Sequence, residues 1–429
     1  MQNGKTVNIV DGSRTPFLKA EGKRGPFTAS DLAVSAARPL LARQHFDPTD
    51  LDEVILGCAA PSADEANIGR VVSLRLGCGD AVPAWTVMRN CASGMQALDS
   101  AATNISHGRA DLILAGGTES MSHAPVLYND KMVNWLADLA KAKTPVAKAS
   151  VLAKIRPGHL KPIIGLLRGL TDPVVGLSMG QTAENLAYRF KISRDDMDHF
   201  ALRSHQRLAA ATDEGRLGEM ENLYDTKGKT YDADNGLRRD SSMEKLAKLR
   251  AVFDREVGNV TAGNSAQITD GASWLILASD DAVKQHDLPV MGRIVDSQWA
   301  GLDPRQMGLG PVHASTPILQ RHALGLSDID YWEVNEAFAA QVLGCVAAWQ
   351  DNEYCTEELG LDGPLGELDE DTLNVDGGAV SIGHPVGASG ARIVLHLLHV
   401  LREKDKNRGM ATICIGGGQG GAMLLERAA

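Results

Sequence analysis

The chain has 429 residues and a formal net charge of −11 at pH 7. This acidic balance argues against nucleic acid as the main partner, and no run approaches the roughly 20 apolar residues that span a bilayer. Six cysteines without a CxxC pair predict reduced thiols, and a strand-like run from residue 7 leaves no room for a signal peptide, so we expect a cytoplasmic protein.

Short aliphatic runs alternate along the chain with longer segments of helical spacing. The runs VNIV, EVILG, DLILAGG and WLILAS predict buried strands at 7–10, 53–57, 111–117 and 274–279. Apolar residues spaced by three and four predict helices at 30–44, 92–106 and 183–190. This alternation is typical of layered α/β proteins, which is the fold class that we expect.

The chain repeats the order of its elements loosely, which predicts two similar halves. DLDEV (50–54) is similar to DIDYWEV (328–334), CASGMQAL (91–98) to ASGARIVL (388–395), and LILAGG (112–117) to TICIGGG (412–418). Three weak matches leave chance similarity as an alternative. We expect an N-terminal half at 1–120 that continues at about 256–285, an inserted loop domain at 121–255, and a C-terminal half at 286–429.

Residues 131–168 are basic within an acidic chain, with eight Lys or Arg against one Asp. Their apolar residues predict three amphipathic helices. One interpretation is a lid that packs its apolar stripes on the body. The other is contact with an acidic partner subunit or an anionic membrane, which would place the protein at the inner face of that membrane. The three sets are Met132, Trp135, Leu136 and Leu139; Val151, Leu152 and Ile155; and Leu160, Ile163, Ile164 and Leu167.

Cys91 lies in VMRNCASGMQALDSA (87–101), between an apolar run and a helical pattern. The positive end of a helix dipole favours thiolate over thiol and makes a cysteine more nucleophilic. Most buried cysteines are inert, so an inert Cys91 is the alternative. A thiolate nucleophile also needs a base and donors for a developing oxyanion.

The C-terminal half offers candidates for both of these roles. His384 lies in the Gly-rich loop of NVDGGAVSIGHPVGASGAR (374–392), and Cys414 precedes three glycines whose bare N–H groups can approach an oxyanion. Asn335 in VNEAFAAQ follows an apolar strand and could cap the next helix. The structural alternatives are a packed histidine, a buried strand cysteine and that helix cap.

These residues belong to a series of motifs in which the chain resembles the thiolase family over nearly its whole length. The resemblance implies the thiolase fold, with two similar layered halves in the order α/β/α/β/α and an inserted loop domain. The matching stretches are SRTPF (13–17), NCASGMQA (90–97), AGGTESMS (115–122), MGQTAENLA (179–187), VTAGNSAQITDGA (260–272), VNEAFA (334–339), GGAVSIGHPVGASGAR (377–392) and CIGGGQGGA (414–422).

The resemblance implies a role for each candidate. Cys91 is the nucleophile that carries the acyl group, and His384 is the base that activates it. Cys414 is the acid/base that moves a proton on the α-carbon of acetyl-CoA or on the CoA thiol. Asn335 positions a water in one oxyanion hole, and the backbone N–H groups of Cys91 and Gly416 form the other.

The resemblance also implies substrate and CoA contacts, and here the chain departs from the family pattern. Ala266 stands where many members have a pantetheine-contacting serine, so Ser265 or backbone would substitute. Ser178 stands where acetoacetyl-specific members often have histidine, which favours longer substrates. The basic segment resembles the thiolase subunit of trifunctional-type β-oxidation complexes, although that branch often has histidine in place of Asn335. The expected contact residues are Ser178, Met179, Ser265, Ala266, Ala337 and Phe338.

The resulting hypothesis is a 3-ketoacyl-CoA thiolase, an acetyl-CoA C-acyltransferase of fatty-acid β-oxidation. It implies no metal and no bound cofactor, because CoA is a substrate, and it implies a homodimer or tetramer, with a hydratase/dehydrogenase subunit as a further partner. The alternatives are a biosynthetic acetoacetyl-CoA thiolase, a catalytically silent lipid-binding protein of the same fold, and a cysteine hydrolase.

Overall fold

A computed structural model describes residues 4–428 of the chain. The strands are β1 (Asn8–Arg14), β2 (Leu18–Lys19), β3 (Glu53–Gly57), β4 (Ala84–Val87), β5 (Leu112–Ser120), β6 (Val126–Leu127), β7 (Ile163–Ile164), β8 (Leu223–Tyr224), β9 (Thr230–Tyr231), β10 (Thr269–Ala278), β11 (Gly292–Gly301), β12 (Tyr331–Val334), β13 (Arg408–Ile415) and β14 (Gln419–Arg427). The helices are α1 (Ala29–Ala42), α2 (Ile68–Leu76), α3 (Ser93–Ser106), α4 (Asp130–Lys141), α5 (Pro145–Leu152), α6 (Gly165–Gly169), α7 (Met179–Arg189), α8 (Arg194–Asp213), α9 (Met243–Ala247), α10 (Asp280–His286), α11 (Gly310–Arg321), α12 (Ala339–Gln350), α13 (Asn352–Glu357), α14 (Ala379–Ile382) and α15 (Val386–Glu403).

The strand pairing confirms two similar halves. The large sheet runs β12-β13-β14-β11-β1-β10-β5-β3-β4, with β2 beside β10. In the N-terminal half β3 pairs parallel with β5, which is followed by antiparallel β10 and β1. In the C-terminal half β12 pairs parallel with β13, which is followed by antiparallel β14 and β11. The same order therefore occurs twice, and β1 joins the halves by pairing with β11.

Helices α3 and α15 pack on each other between the halves, and α15 contacts strands of both. Small residues allow this approach. A Cβ on Gly94 would lie 2.8 Å from the carbonyl oxygen of Gly387, and a Cβ on Gly390 would lie 2.7 Å from the nitrogen of Met95. Helices α1 and α2 cover the outer face of one half and α11 that of the other. The layers follow the predicted α/β/α/β/α order, and the starts of the two central helices meet.

The predicted elements of the two halves are present with shifted ends. The run at 53–57 is β3 itself, and the helix predicted at 92–106 is α3. Strand β10 begins five residues before the predicted 274, because its small residues are also buried. Helix α7 begins at Met179 rather than at 183, because the Ser178 side chain caps it.

The basic segment is less regular than its apolar spacing predicts. The first predicted helix is α4, and the second ends at Leu152, before Ile155. The third is wrong, because 160–167 contains the short strand β7 and the start of α6. Pro157 and Pro162 lack the N–H groups that a continuous helix needs. Within residues 4–428, no helix is long and apolar enough to cross a membrane. The domain bounds at 120, 255 and 286 stay a prediction.

Candidate active site

Cys91 lies where the sequence places it, between β4 and α3, in a 3-10 turn formed by Asn90–Ala92. Asn90 has a positive φ of 44°, which is uncommon outside glycine and bends the chain sharply before the cysteine. The Asn90 side-chain amide donates to the carbonyl oxygen of Gly416 at 2.9 Å. The nucleophile turn of one half is thereby tied to the glycine run of the other.

The environment of the Cys91 thiol favours the neutral form. Burial raises its pKa to about 11, although the backbone N–H groups of Gly416 and of Cys91 itself both act to lower it. These two N–H groups therefore face the sulfur, as the resemblance implies. The start of α3 does not ionise the thiol by itself, because the cost of burying a charge outweighs the donors.

His384 precedes α15 and carries a neutral imidazole. Its backbone N–H donates to the carbonyl oxygen of Gln267 at 3.2 Å. Nδ1 lies 2.6 Å from the hydroxyl oxygen of Ser389, and Nε2 is buried without a partner among the described residues. Burial, with a smaller contribution from the charge of Arg392, lowers the pKa of His384 to about 4. The ring is thus a base with one uncommitted nitrogen.

Cys414 lies near the end of β13, is buried, and pairs with Gly420 of β14. Burial raises its pKa well above the ordinary value, and negative charge on Cys91 raises the pKa further. The two sulfurs are therefore close enough to interact electrostatically, although 323 residues of sequence separate them. A protonated thiol beside a nucleophilic thiol can act as an acid.

Asn335 follows β12 and is fully buried. Its backbone N–H donates to the carbonyl oxygen of Thr412 at 2.9 Å, while neither side-chain polar atom has a partner within residues 4–428. The predicted helix cap is wrong, since α12 begins at Ala339 after Phe338. An unpaired buried amide costs about 1–3 kcal/mol, so its presence is typical of a group kept for a bound molecule.

Glu119, which the sequence analysis did not single out, links the two helix starts. This buried carboxylate at the end of β5 accepts backbone hydrogen bonds from Ala59 at 2.9 Å, Ala60 at 3.0 Å and Gly387 at 3.0 Å. Its charge also contributes to the raised pKa of Cys91. The signal available in the sequence was an acid inside the AGGTESMS motif.

Glu336 is a second missed carboxylate, adjacent to Asn335. It accepts hydrogen bonds from the hydroxyl of Ser204 at 2.7 Å, the amide of Asn374 at 2.9 Å and the backbone N–H of Val380 at 3.1 Å. These bonds fix the backbone next to Asn335 and connect it to the loop that leads into His384. The acid of VNEAFA was the available signal.

The predicted CoA-contact residues fall into two groups. Met179 reaches the glycine run, since a Cβ on Gly416 would lie 3.1 Å from its sulfur. The segments around Ser265 and Phe338 lie side by side: these two residues form an isolated antiparallel bridge, and the Ala266 N–H donates to the carbonyl oxygen of Ala337 at 3.0 Å.

The two serines in the predicted set have hydrogen-bonded hydroxyls. Ser178 accepts from the backbone N–H of Gln181 as the cap of α7. Ser265 donates to the carbonyl oxygen of Thr261 at 2.6 Å. Substitution of Ser265 for the serine that Ala266 replaces would therefore rely on its remaining lone pairs. Among the described residues, no group of three or more His, Cys, Asp or Glu side chains is arranged to hold a metal ion.

The arrangement can perform acyl transfer through sulfur. A neutral imidazole can take the proton of Cys91 as the thiol attacks a carbonyl, so that a free thiolate is not needed beforehand. Backbone N–H groups at the sulfur can stabilise the oxyanion that forms. The second thiol can supply the proton that a carbon leaving group requires.

Comparisons with known proteins cover the whole site. The family profile described as "Thiolase, N-terminal domain" matches residues 7–281, and "Thiolase, C-terminal domain" matches residues 288–427. The mitochondrial 3-ketoacyl-CoA thiolase of Rattus norvegicus is 39% identical, over 99% of this chain and 98% of that protein. The beta-ketoadipyl-CoA thiolase of Pseudomonas knackmussii is 38% identical, over 99% of each. The crystal structure of human mitochondrial 3-ketoacyl-CoA thiolase in complex with CoA superposes with a TM-score of 0.84 at 38% identity, over 99% of this chain and 98% of that one.

Proposed function

Because this chain belongs to the thiolase family, we propose that it is an acetyl-CoA C-acyltransferase that cleaves 3-ketoacyl-CoA with CoA. The products are acetyl-CoA and an acyl-CoA shortened by two carbons. The observation that carries this proposal is the meeting of two thiols from different halves, beside an imidazole and an amide with uncommitted polar atoms.

In the first half-reaction His384 Nε2 accepts the Cys91 proton while the sulfur attacks the 3-keto carbon. The carbon–carbon bond then breaks, and the acyl group remains on Cys91 as a thioester. The acetyl-CoA enolate leaves with the electron pair and takes a proton from Cys414. In the second half-reaction Cys414 accepts the proton of an incoming CoA thiol, whose sulfur attacks the thioester, and the proton on His384 returns to Cys91.

The charge that develops on oxygen has donors in two places. The N–H groups of Cys91 and Gly416 face the reacting sulfur and are aimed at the oxygen of the acyl group. Asn335 supplies the polar group for the thioester oxygen of acetyl-CoA. A single cysteine could hold the acyl group but could not protonate the enolate carbon, which accounts for the second thiol.

Two variants test these roles. Cys91→Ser should lose acyl capture from 3-ketoacyl-CoA, as measured by intact-protein mass spectrometry. Cys414→Ala should still capture the acyl group but fail to exchange the α-protons of acetyl-CoA with deuterium in solvent. Acylated Cys91→Ser protein, or normal exchange by Cys414→Ala, would contradict the proposed mechanism. Cys355→Ala, at a buried thiol remote in sequence from both loops, is the control.

We further propose fatty acyl substrates of medium or long chain and the degradative direction. The relatives named above act on both fatty and dicarboxylic ketoacyl-CoA by their names, so the acyl specificity rests on this chain's own pocket. Ser178, whose hydroxyl caps α7, leaves this position without the imidazole expected of acetoacetyl specialists. Turnover of acetoacetyl-CoA above that of long-chain 3-ketoacyl-CoA would favour the biosynthetic alternative.

The basic segment supports a proposal about location: 131–168 contacts an anionic membrane surface. Its apolar side chains do not pack on the body, since Val146 is 80%, Leu160 63% and Leu167 61% exposed. None of its eight Lys and Arg side chains forms an ion pair within residues 4–428. Exposed apolar groups among unpaired cations are typical of surfaces that bind anionic lipid.

Vesicle binding tests this contact. Neutralising Lys141, Lys143, Lys148 and Lys154 to Gln should weaken sedimentation with phosphatidylserine vesicles, and salt should weaken the binding of the native protein. The matched control neutralises four exposed lysines elsewhere: Lys23, Lys227, Lys229 and Lys284. Equal loss in both variants, or binding only to a hydratase/dehydrogenase subunit, would overturn the lipid proposal.

A second copy of the chain is the proposed partner at β4. This strand ends the large sheet and pairs only with β3 among the described residues. An exposed strand edge pairs readily with another strand, and the adjacent Met88 is 65% exposed. Met88→Lys should shift the protein from dimer towards monomer in sedimentation velocity; an unchanged sedimentation coefficient would contradict this placement.

A further inference from the structure

Ser389 lies in the first turns of α15 and contacts the His384 ring from the side opposite its uncommitted nitrogen. Its hydroxyl oxygen lies 2.6 Å from Nδ1 of His384 and 3.1 Å from the carbonyl oxygen of Pro385. The serine is 1% exposed, so bulk water does not compete for its hydroxyl.

Counting protons assigns the roles in this contact. A serine hydroxyl has one proton and can accept further hydrogen bonds. If that proton points to the Pro385 carbonyl, the serine oxygen must accept from a proton on Nδ1, and both contacts are hydrogen bonds. If the serine proton points to Nδ1, the contact with Pro385 has no proton, and Nε2–H becomes a buried donor without a partner among the described residues. Only the first arrangement satisfies every group.

We propose that Ser389 is a positioning residue that holds the His384 proton on Nδ1, so that the lone pair of Nε2 faces the acyl-transfer site. The inference rests on the proposed function, since it specifies which nitrogen takes the Cys91 proton. The other half of the ring's environment agrees with it. Burial and the Arg392 charge lower the pKa of His384 to about 4, so the ring is neutral at pH 7 and has one tautomer to select.

The tautomer can be observed directly. Protein labelled with 15N-histidine should show, for His384, a protonated Nδ1 and an unprotonated Nε2 in long-range 1H–15N spectra at pH 7. His384→Gln identifies the signal among the 12 histidines. A proton found on Nε2 in the native protein would overturn the proposal. This readout needs no substrate, so it is independent of whether the chain is a thiolase.

Kinetics test the positioning role. Ser389→Ala should lower kcat for thiolysis about tenfold, as part of the ring population takes the unproductive tautomer, with KM unchanged. Ser389→Thr, which keeps the hydroxyl, should recover most of this loss. The matched control is Ser315→Ala, because Ser315 is buried and donates to Pro311 four residues earlier, with no histidine in contact.

The outcomes separate the two levels of the account. Ser389→Ala with native kcat and a native ring spectrum would overturn the positioning role. Equal losses in Ser389→Ala and Ser315→Ala would overturn it as well, because they would indicate a general packing effect. If Ser389→Ala fails to fold, the native spectrum still decides the tautomer. A native protein with the expected tautomer and no thiolysis would strike the proposed function alone.

Discussion

The starts of α3 and α15 occupy equivalent places in the two halves and carry different chemistry. Both helices follow a strand of a parallel pair, and both begin in the central layer, where Gly94 and Gly387 bring them into contact. The start of α3 presents Cys91, and the start of α15 follows His384. Duplication of one half therefore supplies two facing helix starts, and divergence at a few positions turns them into a nucleophile and its base.

The surroundings of the two starts differ as well. Cys91 lies on a turn with a strained Asn90 and receives N–H groups from both halves. His384 is held by Ser389, Gln267 and the carboxylate-clamped Gly387 of α15. The nucleophile is aimed by backbone shape and the base by hydrogen bonds. Changes at each side should therefore fail in different ways.

Removing the base should give the largest effect. His384→Gln keeps a side chain of similar length but takes away proton transfer, so kcat should fall by about 10²–10⁴-fold while the fold is retained. Thiolysis rates and circular dichroism check both parts. The unrelated His286→Gln, at the end of α10, is the control. A His384→Gln enzyme within a few-fold of native kcat would remove the base from the comparison.

Separating the helix starts should cost stability. Gly390→Ala places a Cβ 2.7 Å from the backbone nitrogen of Met95, where the partner is backbone that cannot turn aside. Overpacking of this kind costs about 1–3 kcal/mol, measurable by urea unfolding. Gly301→Ala, with open space around its Cβ position, is the matched control. Equal stability of the two variants would show that the helices do not meet as described.

The pH dependence of Cys91 alkylation should show the smallest but most specific effect. With its pKa raised to about 11, the thiol is protonated at pH 7, and the thiolate fraction grows as pH rises. The rate with iodoacetamide should therefore increase about tenfold per pH unit between pH 7 and pH 9. Peptide mapping of Cys91 measures this rate. A plateau below pH 8 would mean that the start of α3 ionises the thiol after all.

Local patterns predicted the halves well. The junction at Cys91 could be predicted because an apolar run and a helical spacing meet there, and the duplication could be seen because its strands and helices recur in order. The third helix of the basic segment could not be read from apolar spacing, since Pro157 and Pro162 interrupt it. The cap role of Asn335 failed because α12 begins four residues later than the pattern suggests.

The parts that the sequence could not provide all depend on burial or on distant contacts. Glu119 meets Ala59 and Gly387, whose positions differ by 328 residues. The neutral state of Cys91 follows from its burial, which outweighs the helix start on which the prediction relied. The contact between His384 and Ser389 spans a loop-to-helix junction, where neither strand nor helix periodicity applies.

A thiol–thiol crosslink tests most directly whether Cys91 and Cys414 share one pocket. Native protein treated with 1,3-dibromoacetone and digested should give one bridged peptide pair, 91 with 414, in tandem mass spectra. The bridge should disappear when CoA thioester is present in excess. Single alkylation of both thiols with no bridge, or a bridge from Cys91 to another cysteine, would place the two sulfurs in separate sites and contradict the account.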